Sequence, residues 1–219
     1  MKNYGKRLIK LISGVILYAA GIVITMKADL GYAPWDVFHQ GLSDVLGLSF
    51  GLVSIVVSLA VALVAALLGE KLGIGTVFNM VLMGVFLDIF LWLDIIPTMQ
   101  GWLSGLLMLF AGLFIIAFAT WFYISAAFGA GPRDSMMVAL KRKTGLPIGL
   151  SRGVLETTVV IIGWLLGGPV GVGTVLSAFG ISFCIQLVFM LMRFNSTAIR
   201  HETLDMTYQK AKRLFAGGK

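Results

Sequence analysis

Six apolar runs, each about as long as a helix needs to cross the ~30 Å hydrocarbon layer of a bilayer, divide this sequence. They fall near residues 8–27, 50–68, 74–93, 103–125, 149–167 and 172–192. Composition points to lipid as the solvent. Of 219 residues, 58% are hydrophobic and 12% charged, about half the charge of a soluble domain, so the polar residues are too few to coat such a core. The 27 glycines suit the same setting, because small residues let membrane helices approach closely. The net charge of +7 gives no reason to expect nucleic acid, since the basic residues cluster at helix ends and termini, where they orient a chain in the membrane. Lys2, Lys6, Arg7 and Lys10 before the first run also suit a signal peptide. The Lys27-Ala28-Asp29 that follows is a poor cleavage site, so the run reads as a first span that stays. The single cysteine, Cys184, lies in an apolar run and supports neither a disulfide framework nor a metal cluster.

Two shorter segments, 34–46 and 132–143, read as helices too short to span, each opening on a proline and followed by a glycine stop, Gly47 or Gly145. In the first, Trp35, Phe38, Leu42, Val45 and Leu46 share one face, and Asp36, Gln40, Ser43 and Asp44 the other. Such a helix lies at the interface or dips into the membrane as a re-entrant element.

The chain also repeats itself. Residues 126–175 align with 28–77 without a gap, at an offset of 98, with 18 identities in 50 positions. Ala28, Gly31, Pro34 and Asp36 meet Ala126, Gly129, Pro132 and Asp134. Gly47-Leu48 and Gly51-Leu52 meet Gly145-Leu146 and Gly149-Leu150. Gly73, Gly75, Thr76 and Val77 meet Gly171, Gly173, Thr174 and Val175. Matched Gly, Pro, Asp and Thr in order indicate a duplicated unit.

Three spans per unit is an odd number, so the second copy is expected to enter the membrane from the opposite side. With the N-terminus in the cytoplasm, 16 of the 17 Lys and Arg fall at cytoplasmic ends and only Lys27 lies outside. The expected fold is therefore an all-α integral membrane protein of six transmembrane helices. It forms two inverted three-helix repeats, about 8–93 and 103–192, each with a short re-entrant or interfacial helix. A rival with eight spans and parallel repeats also keeps both termini inside, but needs the two short segments to cross. The basic segment 195–219 is expected to be a cytoplasmic tail on the anionic inner leaflet.

The G-x-x-P-x-D turn at Gly31, Pro34 and Asp36, the G-L-x-x-G-L at Gly47 to Leu52 and the G-x-G-T-V at Gly73 to Val77 resemble the YczE/YyaS/YitT family of bacterial integral membrane proteins, the YczE branch above all. The likeness covers roughly residues 8–192. It implies a multi-pass protein of the bacterial plasma membrane. It also implies a link to production of a secreted lipopeptide, hence to export or membrane support. The YitT branch has a Gly-rich turn where Pro34-Trp35-Asp36 stand, so it transfers no site.

Enzyme signatures are missing. The histidines are His39 and His201, and no zinc-protease, phosphate-loop or nucleophile-elbow motif occurs, so no enzyme and no metal or cofactor site is expected. Asp36 and Asp134, each two residues after a helix-starting proline, suit first-turn capping, or a gate or cation site. The Gly73 and Gly171 turns read as tight hairpins capped by Thr76 and Thr174 sooner than as anion sites. Arg152 and Glu156, spaced i, i+4, have no charged counterpart in the first copy, where Ser54 and Ser58 stand. A charge inside a span is costly and faces a partner or a cavity, so they read as a locking ion pair or a polar site with Glu156 titrating. Asp88 aligns with Gln186 and Asn79 with Ser177, which makes Asp88, Gln186 and Asn79 further candidates. Arg133 reads as a cytoplasmic anchor. Trp92, Trp102, Trp121 and Trp164 suit an aromatic belt, whereas Trp35 in the G-x-x-P-x-D turn is an anchor or the wall of a site. The expected function is a small transporter or permease, exporting a small organic solute by alternating access. The alternative is a non-transporting membrane factor that stabilises or regulates another complex. Expected partners are the lipid bilayer, a solute and a second copy as a homodimer.

Overall fold

A computed structural model describes residues 4–70, 73–129 and 131–194. The basic tail with His201, and Lys71, lie outside the described residues. The chain forms α1 (Tyr4–Lys27), α2 (Pro34–Leu46), α3 (Phe50–Leu67), α4 (Ile74–Leu93), α5 (Trp102–Ser125), α6 (Pro132–Thr144), α7 (Ile148–Leu165) and α8 (Val172–Leu191). Five of them, α1, α3, α4, α5 and α8, are long and apolar enough to cross a membrane; α7 reaches that standard only together with α6, from which it is bent by 117°. The described chain therefore has five to six candidate spans. Trp92, Trp102 and Trp164 are among its most exposed apolar residues, as belt residues facing lipid should be.

Local chemistry sets the helix limits. Pro34 and Pro132 start α2 and α6, where their missing N–H costs nothing. Gly47 and Gly145 end them in the left-handed conformation, φ 65° and 73°, their N–H groups donating to Ser43 O and Lys141 O. Ser49 Oγ accepts the Leu52 N–H at the start of α3. Thr76 and Thr174 accept the N–H of Gly73 and Gly171, so the two G-x-G-T turns are Thr-capped starts of α4 and α8.

The two sequence copies have matching backbones. Asp29, Gly31, Gly47 and Gly69 lie in the positive-φ region, and so do Ala127, Gly129, Gly145 and Gly167, each 98 residues on. Packing follows the same rule. Helix α1 crosses α5 at the centre, where a Cβ on Gly14 would come within 2.9 Å of Tyr123 N and one on Gly112 within 3.0 Å of Thr25 N. Around this pair α4 packs on α1 as α8 packs on α5, and α6 on α3 as α2 on α7. The short helices thus exchange halves. One contact breaks the rule: α3 lies along α4, but α7 barely touches α8.

The two faces expected of α2 do not divide its buried from its exposed residues. Trp35, Asp36, Val37 and His39 are all buried, while Val45 and Leu46 are 60% and 54% exposed. The first half of α2 is enclosed on every side, because it is inserted between helices and does not lie along a surface.

The turns that launch the short helices are clamped across the halves. Gly75 N–H donates to Phe128 O at 3.0 Å, and Gly173 N–H to Leu30 O at 2.6 Å. Gly31, at φ 97°, sits so close to Gly171 that a Cβ would run into its main chain. Gly31→Ala should therefore lower the unfolding midpoint of the detergent-purified protein by about 5 °C or more. Gly149→Ala, in open space on α7, should leave it unchanged or raise it slightly. Equal midpoints for the two variants would contradict the clamp.

Candidate functional site

Because the two turns are pulled inward, α2 and α6 begin inside the bundle and their second residues meet. The Arg133 guanidinium lies over the Trp35 ring, 4.8 Å from its centroid. The two residues occupy equivalent positions in the repeat. Beside them is a cavity of about 160 Å³ to which all eight helices contribute side chains. Its polar wall includes Tyr18, Ser54, Ser58, Asn79, Thr120 and Tyr123; its charged wall is Arg133, Asp134, Arg152 and Glu156. Five repeat-equivalent pairs line it: Ile22 with Thr120, Trp35 with Arg133, Ser54 with Arg152, Ser58 with Glu156, and Met83 with Ile181.

Arg152 Nε donates to Glu156 Oε1 at 2.7 Å; the side chains are 33% and 16% exposed. Each of these two charges is thereby offset by its helix neighbour. Tyr123 Oη donates to Asp134 Oδ2 at 3.2 Å, and the Tyr18 ring meets that of Tyr123 edge-on at 6.4 Å. Thr120 spends its hydroxyl on Ile116 O within its own helix. Among the described residues, Ser54, Ser58 and Asn79 make no side-chain hydrogen bond and keep their polar atoms for the cavity.

Of the sequence candidates, Trp35, Asn79, Asp134, Arg152 and Glu156 line this one cavity. Asp36, Asp88 and Gln186 do not. Asp88 accepts Ser49 Oγ–H at 2.6 Å and Gly51 N–H at 2.7 Å, so it caps α3 from the neighbouring α4 and is not simply solvated. Gln186 faces outward. The Asp36 carboxylate makes no hydrogen bond to the first turn of α2, which corrects its reading as a cap. It lies behind Trp35, 3% exposed, with Oδ1 3.8 Å from Nδ1 of the fully buried His39. Arg133 is also corrected. It is not an anchor at the membrane surface, because the insertion of α6 carries it inward. Its alignment with Trp35 was the signal that could have placed it. Tyr18 and Tyr123 were missed, and nothing in their local sequence separates them from boundary tyrosines.

A family model described as "Family of unknown function (DUF6198)" matches residues 5–190. The chain is 35% identical over 185 residues to the "Uncharacterized membrane protein YczE" of Bacillus subtilis (strain 168), covering 84% of this chain and 82% of that protein. It is 34% identical over 177 residues to an "Uncharacterized protein" of Haemophilus influenzae (strain ATCC 51907 / DSM 11121 / KW20 / Rd), covering 78% and 80%. It is 28% identical over 171 residues to the "Uncharacterized protein YyaS" of Bacillus subtilis (strain 168), covering 75% and 83%. No solved structure matches the chain.

The ion pair makes a prediction by double-mutant cycle. Arg152→Leu alone should destabilise the purified protein by about 1–3 kcal/mol, because it strands Glu156. Adding Glu156→Leu should recover most of that loss. Additive losses would show that the two side chains act independently.

Proposed function

The chain belongs to the DUF6198 family, and we propose that it is a small membrane transporter or permease that moves a small organic solute by alternating access through this cavity. The observation that carries the reading is the composition of the wall: repeat-equivalent residues of both halves face one central space, at the starts of two short helices inserted into the bundle. Transporters built from inverted repeats place their sites at such an interface, beside interrupted helices. A cavity of about 160 Å³ suits a solute of few atoms.

The proposed topology puts both termini in the cytoplasm of a bacterium, with the two halves antiparallel and both short helices re-entrant. In that orientation α4, α5 and α7 lend the wall residues from their cytoplasmic halves, and α1 and α3 lend residues from their outer halves, so the cavity lies in the middle of the bundle. Export or uptake then requires α2 and α6, which carry Trp35 and Arg133, to exchange roles.

Reconstitution tests this. Proteoliposomes holding the full chain should show saturable flux of one solute class in a solute screen, and Trp35→Ala should reduce it about tenfold or more. Absence of flux with every solute, together with a stable complex with another membrane protein, would instead support a membrane factor.

A further inference from the structure

The charged wall of the cavity is unevenly paired. Arg152 and Glu156 hold each other, and Asp134 accepts the Tyr123 hydroxyl. Among the described residues, Arg133 makes no close ion pair and no hydrogen bond; it lies over the face of Trp35 and interacts at longer range with the buried Asp36. A contact with the ring face uses none of the guanidinium N–H donors, which are left without a protein acceptor. Such a fork matches a carboxylate, which it binds through two parallel hydrogen bonds. Ser54, Ser58 and Asn79 offer further unspent polar atoms in the same wall.

The rest of the wall limits what else the ligand can be. Met80, Met83, Met137, Leu155 and Ile181 give an apolar lining, and methionines adapt to more than one shape. The cavity of about 160 Å³ is close to the ~150 Å³ engineered cavity that holds benzene. Asp134 and Glu156 face the same space, so a second negative charge on the ligand would be repelled.

We propose that the cavity binds a small organic monoanion with an apolar body, its acid group seated on the Arg133 guanidinium and its body against the methionines. This deepens the transport reading and rests on the same cavity.

The test is binding to the detergent-purified full chain, measured by calorimetry and thermal stabilisation. The probes are benzoate, benzenesulfonate, phenylphosphonate, benzamide and benzylammonium. Benzoate should bind, and benzamide and benzylammonium about tenfold or more weakly. Benzenesulfonate should bind with an affinity near that of benzoate. Phenylphosphonate, brought to its dianion at pH 8.5, should bind more weakly than both (roughly, from like-charge repulsion). Arg133→Gln should lose benzoate binding, Arg133→Lys should keep part of it, and Lys143→Gln, on an exposed turn of α6, should match the unmodified chain. Benzamide binding as tightly as benzoate, no binding by either monoanion, or unchanged benzoate binding in folded Arg133→Gln would overturn the proposal. Should Arg133→Gln fail to fold, the benzoate and benzamide comparison on the unmodified chain decides. Benzoate binding without flux in proteoliposomes would defeat transport and leave this inference standing. Flux of neutral or cationic solutes that survives Arg133→Gln would do the reverse.

Discussion

Two main-chain hydrogen bonds, Gly75 N–H to Phe128 O and Gly173 N–H to Leu30 O, hold the two halves together where their helices are interrupted. In hydrocarbon every exposed peptide group costs several kcal/mol, so a chain can break its helices inside a bundle only if something else takes up the freed groups. Here each half supplies the other. The left-handed pairs Asp29/Gly31 and Ala127/Gly129 turn the chain, and the glycines of the G-x-G-T starts come close enough to receive it. Arg7 adds to one clamp by donating to Ala126 O and Ala127 O. A side chain at Gly31 or Gly75 would push the turns apart, which is why these positions carry glycine.

The site follows from that clamp. With the turns held inward, α2 and α6 start inside the bundle, and Trp35 and Arg133 meet near the centre. A strictly duplicated chain would place two like residues there, and two arginines or two tryptophans would either repel or fill the space. Different residues at this position place a cation over a ring. At two further cavity positions one copy carries Ser54 and Ser58 and the other Arg152 and Glu156. One seam also differs: Gly51 and Gly84 bring α3 onto α4, whereas α7 and α8 stay apart. The copies therefore agree in scaffold and differ where ligand would be held.

Much of this was legible in the sequence. Helix limits could be read because Pro34, Pro132, Gly47 and Gly145 act locally, and the limits of α2 at 34 and 46 needed no tertiary information. The Arg152–Glu156 pair was legible from i, i+4 spacing. The roles of Asp36 and Asp88 were not legible, for one reason. Capping is judged from sequence neighbours, yet the α3 start is capped from the distant Asp88, while the Asp36 carboxylate sits at a helix start and bonds to nothing there. Arg133 was misread because a cation beside a predicted loop looks like a surface anchor until the loop is known to fold inward. Tyr18 and Tyr123 needed the α1–α5 crossing, which comes from shape complementarity at Gly14 and Gly112 and leaves no local pattern.

The central claim is that one unit sits in the membrane both ways up, so that its two copies enclose the cavity from opposite sides. Val45 and Lys143 are equivalent, exposed residues in the last turns of α2 and α6, and each can be replaced by cysteine beside the buried Cys184. Labelling intact cells with a membrane-impermeant maleimide measures the claim directly. The account predicts that the cysteine at 45 reacts from outside, and that the one at 143 reacts only after the membrane is opened. Reaction of both from the same side would contradict it.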